Sequence, residues 1–454
     1  TNAALKNGVF RFSRDQKHTV PIKEIQISGQ GKKLFPFRKA DMAQSSAEDV
    51  STSEILSFEN QMLREHRNII RVGILGMPNS GKTGVFNLLT NSNSDVDDQV
   101  FTTFRPNFGI ATYNDNQFNW LCQHFNPKSK SPSRFRVVDC PALIRDSSRG
   151  MGLGAELLVK HCGVSDALMI VVRAFGGDKC TQVGDGVNPI RDLDLILSEL
   201  VNMDIMTLSL EVGQRKPLVE RKQGGTQLAA ELKALESIQS YITSSNKPLR
   251  LHHWNDQEVD IIKKLKFLTS KEVVVVVNMD TRDYVRSPEW HASPTGIIGR
   301  ISQRLIKGHG LKDAVTIPYS GSFEENLRRL GSEEAVEHYF RANPSHRSSQ
   351  VSLATSIFKA LKMIHFFTCG KEEVRSWCLP KGYTAPEAAR TIHRDFEEEF
   401  ISVEVGSFLD LRELESEVEL KREGKLTQQG RKYVVQDGDI CFFKFKLPSY
   451  KTLK

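Results

Sequence analysis

The chain has 454 residues, 39% of them hydrophobic and 26% charged, a length that accommodates roughly two to four domains with proper cores. No apolar run approaches the ~18 residues that cross a bilayer, which excludes an integral helical membrane protein. Seven scattered cysteines without a C-x-x-C pair argue against a disulfide framework or zinc knot and for a reducing interior compartment.

The net charge of +7 sits at the start: residues 1–40 carry nine Lys or Arg against two Asp or Glu, leaving 53 of each sign in the remainder. This basic leader, taken as residues 1–67, interleaves its cations with Phe10, Phe12, Phe35 and Phe37. Such an arm suits contact with RNA phosphates and bases, the other reading being a disordered solubilising tail. A chain starting at Thr1 is expected to be trimmed or processed, and a basic, acid-poor start fits the mature edge of an organelle-imported protein.

The first expected strand, Arg71 to Gly76, runs into Gly76-Met77-Pro78-Asn79-Ser80-Gly81-Lys82-Thr83, which spells G-x-x-x-x-G-K-[ST]. A helix-compatible stretch, Val85 to Leu89, follows. Strand, tight loop and helix in this order form a phosphate cradle: glycines let backbone N–H groups turn inward around an anion, and the helix adds its positive end. Lys82 is expected to reach the β- and γ-phosphates and the Thr83 hydroxyl to ligand Mg²⁺. In the loop Phe101 to Asn107, Thr102-Thr103 offer a hydroxyl that could sense the γ-phosphate through the metal, with Thr103 the candidate.

Asp139 ends the next expected strand, Phe135 to Asp139, where a carboxylate would hold Mg²⁺ through water. The Gly-rich run Gly150-Met151-Gly152-Leu153-Gly154 downstream fits a mobile switch. Further strands are expected at Ala167 to Phe175, Glu272 to Asn278 and Ala314 to Ser320. Between the first two of these, leucines and isoleucines recur at helical spacing on either side of Gly224-Gly225, which predicts a helical hairpin over 193–267. Asn278 and Met279 then stand at a base-reading loop, and Ser320, Gly321 and Ser322 at a second one. The alternation of strands and helices predicts an α/β fold with a mostly parallel sheet, built from 68–192 and 268–345. After a helical linker over 346–363, residues 364–449 are expected to form a module of strands gripping one helix, whose start is the capping box Thr384 to Glu387.

Taken in order, Gly-x-Pro-Asn-x-Gly-Lys, Phe-x-Thr, Asp-x-x-x-Leu, Gly-x-Gly-Leu-Gly and Asn-x-x-x-x-Asp-Tyr resemble the Obg-like ATPases, also called YchF proteins. His253-Trp254-Asn255-Asp256, Phe267 to Lys271, and Gln429 to Phe445 extend the resemblance over about residues 68–448. It implies a P-loop G domain, a coiled-coil-like inserted hairpin and a C-terminal TGS domain of β-grasp fold. It also implies binding of ATP or GTP with Mg²⁺ through Gly76, Pro78, Asn79, Ser80, Gly81, Lys82, Thr83 and Gly84, slow hydrolysis, and association with ribosomes. A hydrophobic residue, here Leu143, replaces the water-orienting glutamine of ordinary GTPases. Asn79 matches the position that helps bind a monovalent cation such as K⁺ in related switches.

Three departures bear on turnover. Asp-x-x-Gly has become Asp139-Cys140-Pro141-Ala142, so the N–H expected to turn toward the γ-phosphate belongs to an alanine. Thr281 stands where a carboxylate would select guanine. The family's His-Asn falls on Ser148-Arg149. The expectation is therefore a monomeric purine-nucleotide-binding factor that associates with ribosomes or their assembly intermediates, with slow or vestigial hydrolysis. The alternative is a non-hydrolysing structural protein of the ribosome. The mitochondrial matrix is the expected compartment, with the cytoplasm as alternative.

Overall fold

The computed structural model describes residues 69–92, 106–113, 115–143, 154–176, 186–223 and 225–446. Among the described residues, seven strands lie in the first part of the chain: β1 (Ile70–Gly76), β2 (Asn107–Tyr113), β3 (Ser129–Ser131), β4 (Ser133–Asp139), β5 (Ala167–Ala174), β6 (Glu272–Met279) and β7 (Val315–Tyr319). Six of them form a sheet in the order β2-β4-β1-β5-β6-β7. Every pairing is parallel except β2 with β4. A parallel sheet needs both faces covered, and the all-apolar Val273 to Val277 in β6 reads that way because all five are buried.

On one face Val72, Ile74, Val137 and Met169 pack against Val85, Phe86 and Leu89 of the helix Lys82–Thr90 and Leu353 and Ile357 of the helix Gln350–Ala360. On the other, Leu75, Leu168, Ile170 and Val172 pack against Leu193, Ile196 and Leu200 at the root of the long helix Pro189–Glu220. Each fully buried Val or Leu contributes about 1.5–3 kcal/mol, and these two layers fix the strand ends that carry the site.

The expected hairpin is present as Pro189–Glu220 and Gly225–Ser245. Its stripe forms its own seam: Leu208, Leu235, Ile238 and Ile242 pack with Val259, Ile262 and Phe267. At the root of the seam, buried Asp204 accepts from Leu268 N at 2.9 Å, Thr269 N at 2.8 Å and Thr269 Oγ1 at 2.6 Å. The His253 to Asp256 motif is also structural, since Trp254 Nε1 donates to Leu249 O and Asn255 forms a capping box with Glu258.

Five more strands, β8 (Met363–Thr368), β9 (Glu373–Pro380), β10 (Phe400–Ser407), β11 (Thr427–Gln429) and β12 (Asp439–Phe445), make a second sheet in the order β11-β10-β12-β8-β9-β3. It grips the helix Ala385–Ile392, whose first turn is held by Glu387 accepting from Thr384 N and Oγ1. That helix stops at Ile392, because His393 is extended at φ −155°. The sheet's other face is filled by Phe118, Leu121 and Cys122 of the helix Asn116–Phe125, and β3 extends the sheet through parallel pairing with β9. Two segments from the first part of the chain are thus built into the C-terminal module.

Candidate nucleotide-binding site

The carboxyl ends of β1, β4, β5, β6 and β7 converge on one rim of the first sheet. From β1 the chain enters the loop Met77 to Gly81, where Asn79 has φ 57° and Gly81 φ 93°. Gly81 is required twice over. Its positive φ disfavours a side chain, and a Cβ there would lie 2.2 Å from Asn278 Nδ2. Gly76 is as constrained, since a Cβ would come within 2.5 Å of Ser80 Oγ and 2.6 Å of Val171 O. At Gly84 a Cβ would meet the Tyr319 hydroxyl at 2.8 Å.

Asn278, at the end of β6, ties two loops together. Its Nδ2 donates to Ser80 O at 2.9 Å, while its Oδ1 accepts from Gly321 N at 3.1 Å. Ser320 caps the helix Gly321–Arg328, and Ser322 Oγ lies 3.1 Å from Ser320 Oγ and 2.8 Å from Thr281 Oγ1. The residues read as two base-facing loops are therefore neighbours of each other and of the phosphate loop.

Lys82 is buried and its Nζ donates to Met77 O at 3.0 Å. Burial lowers its pKa, while the nearby Asp139 carboxylate opposes that shift. Thr83 Oγ1 donates to Asp139 Oδ2 at 2.8 Å. Asp139 is 0% exposed, and its Oδ1 is buried without a hydrogen-bond partner. Burial raises this carboxyl's pKa, and Lys82, the Thr83 hydroxyl and the Asn107 side chain pull it back. Ser80 Oγ is likewise buried and unpartnered. Buried polar atoms are normally paired, so unsatisfied oxygens beside a lysine at a helix start fit a site built for phosphate and a divalent cation. Thr83 and Asp139 are the described residues that would hold Mg²⁺.

The sequence comparisons agree with this geometry. Residues 71–209 match a family described as 50S ribosome-binding GTPase, and residues 363–446 match the C-terminal domain of YchF GTPases. Human Obg-like ATPase 1 is 37% identical over 387 residues, covering 85% of this chain and 94% of the relative. The protein of the same name from Caenorhabditis elegans is 36% identical, covering 83% and 92%. The solved structure of the Schizosaccharomyces pombe YchF GTPase superposes with a TM-score of 0.66 at 31% identity, covering 84% of this chain and 99% of that one.

The chain belongs to the Obg-like ATPase, or YchF, family. Within this family fold, two residues anticipated at the nucleotide turn elsewhere. Leu143 is 1% exposed and joins the hydrophobic layer with Leu75 and Leu158, while its backbone N donates to Gly76 O at 3.0 Å. Met279 packs into the same layer, because successive residues of a strand face opposite sides and Asn278 takes the loop side. Pro78 is buried in the loop. Thr102, Thr103 and Ser148-Arg149 lie outside the described residues.

Sequence reasoning missed Tyr319, which occupies the space that Gly84 leaves, and Arg173 at the end of β5. A tyrosine closing an apolar strand carries no signal of its own. An arginine inside the apolar run Ala167 to Phe175 does, since a buried strand tolerates a cation only for a reason.

Proposed function

We propose that this YchF-family protein binds a purine nucleoside triphosphate with Mg²⁺ at the Gly76 to Thr83 loop and uses the bound state to set its affinity for ribosomes or their assembly intermediates. The observation that carries the reading is the Thr83–Asp139 pair, joined at 2.8 Å with Asp139 Oδ1 buried and unpaired. Lys82 would exchange its bond to Met77 O for the β- and γ-phosphates, a move that costs little because one acceptor replaces another. Loop N–H groups and the start of the helix Lys82–Thr90 would hold the remaining phosphate oxygens. When bound, Mg²⁺ supplies positive charge against the triphosphate. Asn79 would hold a monovalent cation such as K⁺.

Thr281 offers a hydroxyl where guanine would need a carboxylate, so weak discrimination between ATP and GTP is expected. With Ala142 in place of glycine and Leu143 in place of glutamine, hydrolysis is expected to be slow. A non-hydrolysing ribosomal component is the second reading, favoured by the same Ala142. The family description as ribosome-binding and the basic residues 1–40 support an RNA-rich partner, and that leader supports a mitochondrial-matrix copy.

Single-turnover assays with labelled ATP and GTP test the reading. Phosphate release abolished by Lys82→Ala supports a switch, tight binding without release supports the scaffold, and no binding of either nucleotide in magnesium buffer refutes both. Fractionation adds a second test. Co-sedimentation with organellar ribosomes at low salt and release at high salt are expected, and recovery only with cytosolic ribosomes would refute the compartment.

A further inference from the structure

Arg173 closes β5 directly beside the site. In the β5–β6 ladder it is paired with Asn278, and two residues earlier Val171 is paired with Gly76. In-register neighbours on parallel strands share a face of the sheet, with backbones about 4.8 Å apart. Arg173 therefore stands next to the side chain that bonds Ser80 O in the phosphate loop.

Arg173 is buried, at 8% exposure. Nε donates to Phe175 O at 3.1 Å, and Cζ lies 4.9 Å from the Phe175 ring centroid. Nη2 is buried with no hydrogen-bond partner, and none of the described residues offers Arg173 a carboxylate at ion-pair distance. Burying an N–H of a permanent cation with nothing to receive it is expensive. An acceptor on a bound ligand would complete it.

We propose that Arg173 is a nucleotide-binding residue whose Nη2 donates to an acceptor on the purine base. This rests on the nucleotide reading above and extends it to the base. The phosphates belong to the loop after β1, whereas Arg173 lies one strand further along, in register with Asn278, at the end of the site where the base is expected. Guanidinium donors suit the ring nitrogens that both adenine and guanine present as acceptors. The Phe175 contacts hold the planar fork in place, so little freedom is lost when the base arrives.

Calorimetric titration of the full chain with MgATP and with magnesium tripolyphosphate tests this. Arg173→Met should weaken ATP by about tenfold or more, and change tripolyphosphate by less than about twofold, since only the nucleoside end loses a contact. Arg173→Lys should fall between, and decides the matter if the Met variant melts early. To separate a direct contact from an effect through Phe175, 1-deaza-, 3-deaza- and 7-deaza-ATP are titrated as well. One of them should bind wild type about tenfold more weakly than ATP yet lose nothing further in Arg173→Met. Unchanged ATP affinity in the variants, parallel loss of ATP and tripolyphosphate, or equal responses to all three deaza analogues would overturn the assignment of Arg173 alone. A wild type that binds neither ATP nor tripolyphosphate overturns the nucleotide reading together with it.

Discussion

Two aspartates, Asp204 at the root of the helical hairpin and Asp139 at the end of β4, are buried to a similar degree, at 2% and 0% exposure. They are used in opposite ways. Asp204 spends its carboxylate on three donors of the segment Leu268-Thr269, welding the hairpin to the start of β6. Asp139 accepts from Thr83 with the Asn107 side chain close by, and its Oδ1 is left without a hydrogen-bond partner. Both pKa values are pushed up, chiefly by burial, so the shift does not tell them apart. Unused bonding capacity does. A satisfied buried acid holds the fold together, and an unsatisfied one at a strand end awaits a ligand.

The largest effect should come from breaking the weld. Asp204→Ala strands two backbone N–H groups and a hydroxyl, and should cost about 3–5 kcal/mol in urea unfolding. The folded fraction should bind nucleotide as wild type does. If Asp204→Ala instead cost under about 1 kcal/mol, the contrast between the two acids would fail.

Asp139→Asn is the complementary change. It keeps an acceptor for Thr83 and removes the charge, so Mg-dependent nucleotide affinity should drop about 10- to 100-fold, while stability should hold within about 1 kcal/mol because a buried charge has been removed. Equilibrium binding and melting on the same preparation check it, and a large loss of stability with affinity intact would reverse the roles.

Acidity sharpens the comparison. Burial raises Asp204 to about 6, so the extra stability that comes from its tighter hold on the proton is complete below the unfolded pKa near 3.8 and is lost as pH rises through about 6, while its hydrogen bonds remain. His365 has the opposite sign. Wedged between Tyr113 and Phe358 with Nε2 unpartnered, it is lowered by burial to about 4. Its contribution is complete above the unfolded value near 6.5 and is lost as pH falls through about 4. His365→Phe keeps the ring packing and removes the titration. The stability difference between variant and wild type should therefore widen in the variant's favour as pH falls from 6.5 to 4, by up to about 3 kcal/mol. A flat difference across that window would show that His365 is not buried neutral at the junction.

The smallest effect is expected at the Lys128–Glu372 ion pair, which joins the two parts at 2.8 Å with side chains 76% and 59% exposed. Lys128→Ala should cost less than about 0.5 kcal/mol, because the junction is held by the β3–β9 ladder and the buried face of the helix Asn116–Phe125. Thermal unfolding that separates into two transitions in this variant would contradict that.

Much of the site is local and so could be read from residue order. Gly76 to Thr83 specify a strand, an anion-cradling turn and a helix through spacing alone, and Asn278 ends a run of valines that can only be a buried strand. The hairpin was legible from its 3.6-residue period, and the helix start at Thr384 from its box.

Other features depend on residues far apart meeting, and no local pattern encodes that. The three-residue β3 has no periodicity to detect, yet it extends a sheet built more than two hundred residues later, since an open sheet edge accepts any strand that reaches it. Leu143 and Met279 looked like ligand contacts by position, and packing turned both into the core. Arg173 and Tyr319 gained their places only when β5 came between β1 and β6 and β7 came alongside β6. Residue order alone determined which loop cradles phosphate and where the strands and helices with a clear period lie, because those follow from neighbours along the backbone. Which polar atoms are satisfied and which are left waiting was decided only by the tertiary structure, because a hydrogen-bond partner is supplied by proximity in space.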